Sequence, residues 1–222
     1  MSIASHIKTL HEKLDPKGVK LVAVSKFHPA ENIREAYDAG QRIFGESRVQ
    51  ELVAKKETLP SDIQWHFIGH LQTNKVKALI GNATLIESVD SVRLLQMIDD
   101  ESRKKGIITR VLMQIHVAQE ETKFGFTPEE LLDYFRAKGY ESLTSTHICG
   151  VMGMASNTDD TVRIRHDFAA IKATFDTILQ ICPDLRGFDT ISMGMSDDHD
   201  IAIEEGSNMV RIGTDIFGAR NY

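Results

Sequence analysis

Eight short apolar segments recur along the chain with amphipathic segments between them, and this alternation constrains the fold more than any other feature. The apolar segments are 21–25, 42–46, 64–69, 84–89, 110–117, 148–154, 190–195 and 209–214. Runs such as LVAVS are typical of strands that are buried on both faces of a parallel sheet. Eight such strands alternating with helices in 222 residues favour a single (β/α)8 TIM-type barrel with an additional N-terminal helix.

The segments between the strands carry signals for helix ends. Pro29 and Gly40 bracket one helix, Ser91 precedes another, and Thr127 begins the capping box TPEE. The first residues, MSIASHIKTLHEKL, have apolar side chains at helical spacing. An open dinucleotide-binding sheet is disfavoured because SKFHPAEN, which follows the first strand, contains no glycine. We therefore expect residues 1–222 to form one barrel domain.

The composition limits the partners that the protein can have. A formal charge of -6 and a pI near 5.8 argue against broad binding to nucleic acid or to an anionic membrane. No apolar run approaches the length of a membrane span, and the N-terminal helix lacks the apolar core of a signal peptide. Cys149 and Cys182 are too few for a disulfide framework and are expected to be reduced. These features predict a cytoplasmic protein.

Lys26 follows directly on the first apolar strand, and a lysine in this place has two interpretations. Its long side chain can carry the charge out to water. Alternatively, the amine can lie in a pocket at the carboxyl end of the strand, where partial loss of solvent makes it a nucleophile toward an aldehyde. The strand alone leaves both interpretations open.

The ends of the seventh and eighth strands suggest a phosphate site. Ser196 is predicted as the N-cap of the helix that follows SMGM, and Gly213 and Thr214 form a small turn after the last strand. Backbone amides at such turns bind phosphate without a net positive charge. Barrel closure would bring Lys26 beside these turns. An amine opposite a phosphate site indicates either a phosphosugar aldolase or a pyridoxal phosphate protein.

The chain closely resembles the pyridoxal phosphate homeostasis proteins, a family with the barrel fold of the alanine racemase N-terminal domain. The segments that carry the resemblance are AVSKFHP, FGESRVQE, WHFIGHLQTNK, GVMGMA and SMGMSDDHDIAIEEGSNMVRIGTDIFGAR. The resemblance implies a fold-type III protein that binds pyridoxal 5'-phosphate, takes part in vitamin B6 homeostasis and supply, and catalyses no turnover. Acceptor apo-enzymes would be its macromolecular partners.

The same resemblance implies a set of cofactor-binding residues. These are Lys26, Ser47, His66, Met193, Ser196, Arg211, Gly213 and Thr214. Lys26 matches the lysine that forms the internal aldimine, and Arg211 matches the arginine that faces the pyridine nitrogen. The two turns match the phosphate site, with Ser192 close by, whereas His66 and Met193 match residues near the cofactor.

One position departs from the family pattern. After FGE the family commonly has Asn-Tyr, whereas this chain has Ser47 and Arg48. Ser47 can still form hydrogen bonds, so the departure bears on cofactor affinity more than on cofactor identity.

Arg211 has a chemical consequence if it faces the pyridine nitrogen. A guanidinium has donors but no acceptor and keeps its proton, so it can bond only to an unprotonated ring nitrogen. An unprotonated ring is a poor electron sink. The sequence therefore favours a cofactor carrier over a transaminase.

A weak pyridoxal-phosphate-dependent amino-acid racemase stays open as the alternative function. Racemisation needs a base on each face of the substrate α-carbon, and Lys26 can serve one face. In the racemases that the chain resembles, the opposing tyrosine comes from a C-terminal β-domain and subunit pairing, whereas this sequence ends at Tyr222, directly after the last strand. We therefore expect no second base, and a monomer.

Two other features are not expected to carry chemistry. His66 and His70 lie along a strand and the turn after it, and the acids at 197–200 suit a helix start, so no metal site is expected. The segment EETKFGF at 120–126 is predicted to be a loop over the barrel mouth; a lid and an ordinary connection both stay open.

Overall fold

A computed structural model of the protein describes residues 2–118 and 124–218, and in these ranges eight parallel strands close into a barrel. The strands are β1 (Lys20–Val24), β2 (Ile43–Glu46), β3 (Gln64–Phe67), β4 (Leu85–Val89), β5 (Thr109–His116), β6 (Thr146–Met154), β7 (Thr190–Ser192) and β8 (Met209–Ile212). Each strand pairs with the next one in the chain, and β8 pairs with β1. The predicted (β/α)8 barrel is confirmed.

Helices connect the strands on the outside of the barrel. The α-helices in the described ranges are α1 (Ile3–Leu14), α2 (Ala30–Asp38), α3 (Val49–Thr58), α4 (Val76–Leu79), α5 (Val92–Lys105), α6 (Pro128–Arg136), α7 (Thr161–Ile181), α8 (His199–Glu204) and α9 (Thr214–Phe217). Short 3-10 helices lie at Asp15–Lys17, Thr73–Lys75 and Gly139–Ser142. In the part of the chain described, no helix has both the length and the apolar character needed to cross a membrane.

Several helix ends form as the sequence predicts. The Ser91 hydroxyl accepts a hydrogen bond from the Leu94 amide at the start of α5. At α6, Thr127 and Glu130 each accept from the other's backbone amide, which is the reciprocal capping box. Residues 120–123 of the predicted loop lie outside the described residues. Its end is anchored, because the Phe126 amide donates to the Gln114 carbonyl of β5 at 2.8 Å.

The prediction that Ser196 caps a helix was wrong. α8 begins at His199, with Asp198 at the N-cap position. The Asp198 carboxylate instead accepts a hydrogen bond from the Met195 amide at 2.5 Å, which folds residues 195–198 into a turn before the helix. β7 also ends at Ser192, earlier than predicted, because Gly194 takes a positive φ of 98° that a strand cannot continue through.

The barrel is filled in layers. An apolar layer crosses the interior and contains Val22, Leu85, Leu112, Cys149, Met152 and Met209. Side chains two positions apart on a strand point to the same face. Glu87 and Arg211 follow Leu85 and Met209 by two positions, so they lie in the next interior layer toward the carboxyl ends. The larger apolar core packs between the strands and the helices and includes Phe44, Trp65 and Phe168.

Gly150 of β6 lies very close to the backbone of Thr190 in β7, and a substitution at Gly150 therefore tests the fold. A Cβ at Gly150 of β6 would clash with the Thr190 carbonyl oxygen of β7, and Gly150 has a φ of 151°. Gly150→Ala is expected to lower the free energy of unfolding by about 3 kcal/mol or more, since it adds overlap to backbone strain. Urea denaturation measures this loss.

Gly40→Ala is the matched control. Gly40 also has a positive φ, 107°, but no atom lies within 4 Å of the added Cβ. Its loss should be about 1 kcal/mol, from strain alone. Equal losses at the two positions would contradict the close packing of β6 against β7.

Candidate functional site

Barrel closure places Lys26 beside the end of β8. In the β1–β8 register Val22 lies opposite Arg211, and Ala23 opposite Ile212. A Cβ added to Gly213 would lie 3.2 Å from the Val24 Cβ, so the turn after β8 packs against the end of β1. Lys26 is half-buried and follows Val24 by two residues. The structure therefore brings Lys26, Arg211 and Gly213 together at the carboxyl end of the barrel.

Arg211 is buried inside the barrel mouth and held by three hydrogen bonds. Nη1 donates to the Ser192 hydroxyl at 2.6 Å and to its carbonyl at 2.8 Å. Nη2 donates to the Gly153 carbonyl at 2.9 Å. The residue is 5% exposed. A planar guanidinium fixed in this way has one orientation, and these bonds use three of its five N–H groups.

Glu87 supplies the charge that balances Arg211. It is fully buried on β4, and its Oε2 lies 3.8 Å from Arg211 Nη1. His66 Nδ1 donates to Glu87 Oε1 at 2.6 Å, and the Ser192 hydroxyl donates to Oε2 at 2.6 Å. One carboxylate thus joins the serine, the arginine and the histidine, which come from three different strands. We call Glu87, His66, Ser192 and Arg211 the mouth network.

Two opposing effects set the pKa values in the mouth network: burial disfavours the charged forms, and the ionic and hydrogen-bond partners favour them. Burial by itself would raise the pKa of Glu87, but the hydrogen bonds from His66 and Ser192 and the charges of His66 and Arg211 hold it below 4.5. Burial lowers the pKa of Arg211, and the charges of Glu87 and Asp198 oppose this. Glu87 is therefore ionised near neutral pH and Arg211 keeps its positive charge.

The two expected phosphate turns are neighbours. The Arg211 amide of β8 donates to the Gly194 carbonyl at 2.9 Å, which ties the turn containing Ser196 to the last strand. Ser196 is half-buried, and its carbonyl accepts a hydrogen bond from His199 Nδ1 at 3.1 Å. Gly213 is the N-cap of α9, and its carbonyl accepts hydrogen bonds from the Ile216 and Phe217 amides, so the first-turn amides without an acceptor in the helix are those of Thr214 and Asp215. The two turns therefore lie side by side at the carboxyl ends of β7 and β8, and the Gly213 turn packs against the end of β1.

Ser47 and Met193 have different surroundings. Ser47 follows β2, where Gly69 packs so closely against it that an added Cβ would clash with the Ser47 carbonyl. The Arg48 guanidinium lies over the Phe27 ring, 4.7 Å from its centroid. The Met193 side chain is fully buried in the core between strands and helices, away from the mouth network. Contact of Met193 with a cofactor stays a prediction.

Glu87 was not predicted from the sequence as a residue of the site. An acid two positions after Leu85, inside the apolar segment TLIESV, was the available signal. A carboxylate in the middle of a buried strand requires a partner, so it could have been matched to Arg211.

The histidines and acids lie in separate pairs. His66 bonds to Glu87, and His70 Nδ1 bonds to Asp90 at 2.8 Å. Across residues 2–118 and 124–218, no three His, Cys, Asp or Glu side chains gather in a group that could hold a metal ion. The acids after β7 bond within the protein, Asp198 to the Met195 amide and Asp200 to Lys13.

Comparison with known families identifies the class of this barrel. The family described as alanine racemase, N-terminal domain, matches residues 1–221. An alanine racemase of Streptomyces coelicolor has a TM-score of 0.79 at 17% identity, covering 98% of this chain and 58% of that chain. At this identity the likeness shows the fold alone.

Relatives with higher sequence identity identify the family to which the chain belongs. The chain is 39% identical over 215 residues to the pyridoxal phosphate homeostasis protein of Pasteurella multocida, covering 95% of this chain and 90% of the relative. PipY of Synechococcus elongatus has TM-scores of 0.92 without pyridoxal phosphate, at 36% identity, and 0.89 with it bound, at 35%; each alignment covers 98% of this chain and all of PipY. The chain belongs to the pyridoxal phosphate homeostasis protein family.

The mouth network generates a prediction about stability and pH. Glu87→Gln is expected to lower the free energy of unfolding by about 3 kcal/mol near neutral pH, because it leaves the buried Arg211 charge unpaired. The folded pKa of Glu87 is depressed, so its contribution is present above the unfolded value and is lost as pH falls through the folded value. Urea denaturation at several pH values should show the difference from wild type shrinking only below about pH 4.5.

Glu12→Gln is the control. Glu12 pairs with Lys8 at 4.0 Å on the surface of α1, where the Glu12 side chain is 67% exposed and ion pairs contribute little. It should leave stability nearly unchanged near neutral pH. A Glu87→Gln effect as small as this control would contradict the pairing of Glu87 with Arg211.

Proposed function

We propose that the protein binds pyridoxal 5'-phosphate in the barrel mouth, holds it as an imine on Lys26, and supplies it to apo-enzymes without catalytic turnover. The observation that carries the proposal is the convergence of an amine, a buried guanidinium and two donor-rich turns at one end of the barrel. PipY, at 35% identity over its whole chain, is described with pyridoxal phosphate bound.

The residues in the mouth fit the chemical groups of this cofactor. The Lys26 amine adds to the aldehyde carbon, and one water leaves as the C=N bond forms. The Ser196 hydroxyl and the turn at Gly213 and Thr214 supply donors for the phosphate. The absence of a side chain at Gly213 keeps its backbone close to the end of β1. The aldehyde and the phosphate of the cofactor thus each have a protein group of suitable type.

Arg211 explains why we favour a carrier. Ser192 and Gly153 fix its guanidinium, and Glu87 keeps its charge balanced within the barrel. A donor without an acceptor can bond the pyridine nitrogen only in its unprotonated form. The bound cofactor supplies an aldehyde for imine formation, but Arg211 denies it the protonated ring that stabilises carbanions.

The positions of the tyrosines also argue against a racemase. Tyr37 and Tyr134 lie on the outer helices α2 and α6, and Tyr140 lies in a 3-10 helix; Tyr222 is outside the described residues. Burial raises the pKa of Tyr134 to about 12, which makes it a poor base near neutral pH. None of these three lies at the carboxyl end of a strand, where Lys26 and Arg211 lie.

The absorbance spectrum of the purified protein with added pyridoxal phosphate tests the proposal. Wild type is expected to develop a visible imine band that Lys26→Ala abolishes, because the Lys26 amine supplies the nitrogen of the imine. Added D- or L-alanine should show no optical inversion. Lys20→Ala, which removes an exposed lysine from the opposite end of β1, should leave the band unchanged.

Two results would contradict the carrier. A band that persists in Lys26→Ala would remove Lys26 from its role. Appreciable inversion of alanine would instead favour the racemase.

The phosphate turns give a second prediction. Ser196→Ala and Thr214→Val are each expected to weaken pyridoxal phosphate binding by about tenfold or more, because a charge-assisted hydrogen bond is lost. Imine formation with pyridoxal, which has no phosphate, should be unaffected. Thr177→Val, on the exposed side of α7, serves as the control. Equal effects on both aldehydes would contradict a phosphate site at these turns.

A further inference from the structure

A buried ion cluster of Lys55, Glu46 and Glu51 makes hydrogen bonds to the backbone of the segment that carries Lys26. Lys55 of α3 donates to Glu46 Oε1 and to Glu51 Oε1, each at 2.7 Å. Its third hydrogen bond goes to the Ser25 carbonyl at 2.8 Å. All three protons of the ammonium group are therefore used, and its side chain is 10% exposed.

The cluster contacts the backbone on both sides of Lys26. Lys55 binds the carbonyl of Ser25, and Glu51 accepts a hydrogen bond from the Phe27 amide at 2.7 Å. The Ser25 hydroxyl also donates to Glu46 Oε1 at 2.6 Å. The backbone of Lys26, between Ser25 and Phe27, is thus restrained through its two neighbours.

The backbone at this point is strained. Phe27 has a φ of 67°, a left-handed conformation that is unfavourable for a bulky side chain. Such a residue persists only where its surroundings hold it, and strain of this kind clusters at functional sites. The hydrogen bond to Glu51 and the Arg48 guanidinium over the Phe27 ring are two such restraints.

Burying the charges of Lys55 and Glu46 costs desolvation free energy, which apolar side chains at these positions would not cost. Glu46 is fully buried, and its Oε2 has no hydrogen-bond partner among the described residues. Burial raises the pKa of Glu46 above its ordinary value, and Lys55 opposes this. Apolar residues of similar size often stabilise a protein more than a buried ion pair does. A buried ion cluster that bonds to the backbone on both sides of Lys26 therefore indicates that its role is to position Lys26.

We propose that Lys55, together with Glu51 and Glu46, is a positioning residue that holds the Lys26 backbone in the conformation from which its amine reaches the cofactor aldehyde. This inference rests on the proposed function of Lys26. Lys55 itself lies outside the strands, on α3, and acts on the imine only through Ser25 and Phe27. A misplacement of about 1 Å can slow a reaction by about 100-fold.

The test separates imine formation from cofactor binding. Lys55→Met is expected to slow imine formation with pyridoxal phosphate by about tenfold or more. Binding of 4'-deoxypyridoxine phosphate should change less than about twofold, since this analogue keeps the ring and the phosphate contacts but has a methyl group in place of the aldehyde. Rapid-mixing absorbance gives the rate, and equilibrium dialysis gives the binding.

Lys105→Met is the matched control. Lys105 of α5 also donates to backbone carbonyls, those of Ile80 at 2.6 Å and of Lys77 in α4 at 3.0 Å, but away from Lys26. It should leave the imine rate unchanged. Glu51→Met is a second test variant if Lys55→Met folds poorly, because Glu51 lies at the more exposed side of the cluster. It should slow imine formation in the same way.

Hydrogen exchange on the cofactor-free protein provides an independent readout. In Lys55→Met and Glu51→Met the Phe27 amide should exchange at least about tenfold faster than in wild type, because the backbone restraint is lost. Lys105→Met should leave this exchange unchanged.

The inference would be overturned if Lys55→Met weakened analogue binding as much as it slowed the imine, or if its effects matched those of Lys105→Met. If wild type formed no imine on Lys26, the proposed function would fail. Exchange at Phe27 would then decide by itself whether Lys55 holds the segment: unchanged exchange would overturn that role as well.

Discussion

The pairing of β8 with β1 is the constraint on which the site depends. It closes the sheet, so the carboxyl ends of all eight strands meet at one mouth. Lys26 comes from the first strand and Arg211 from the last, yet the register sets their strands side by side. Hydrogen bonds between backbones therefore bring together groups that lie far apart in the sequence. An open sheet with the same strands would leave β1 and β8 separated.

A second constraint is the cost of charge inside the barrel. Arg211 is buried next to an apolar layer, and the Glu87 carboxylate, 3.8 Å away, balances its charge. His66 and Ser192 complete the bonds of that carboxylate. A buried guanidinium held by several hydrogen bonds has one orientation, which suits the contact with a ring nitrogen that we propose for Arg211. Buried charges also act next to Lys26, where Lys55 and the carboxylates of Glu46 and Glu51 hold the backbone by hydrogen bonds.

The fold was largely predictable because parallel strands buried on both faces appear as apolar runs. Each of the eight predicted segments overlaps one of the strands, and Ser91 and Thr127 cap helices as expected. Ser196 failed as a helix cap because a competing hydrogen bond from the Met195 amide to Asp198 moved the helix start to His199. A local pattern of polar residues cannot show which of them takes the cap.

The site was predictable only in part. Lys26 and Arg211 stand at strand ends, where chemistry is expected in a barrel. Glu87 and Lys55 have roles that depend on long-range contacts. Lys55 follows Leu52 by three residues on the buried face of α3 and is adjacent to Lys56, whose ammonium reaches the surface. Periodicity alone does not separate two neighbouring lysines whose surroundings differ this much.

The most direct test of the account is to reduce the protein with borohydride in the presence of pyridoxal phosphate and to locate the pyridoxyl group by peptide mass spectrometry. Borohydride converts an imine into a stable amine, so the label records which nitrogen carried the cofactor. The account predicts a single label on Lys26. A label on another lysine, or none on wild type, would contradict it.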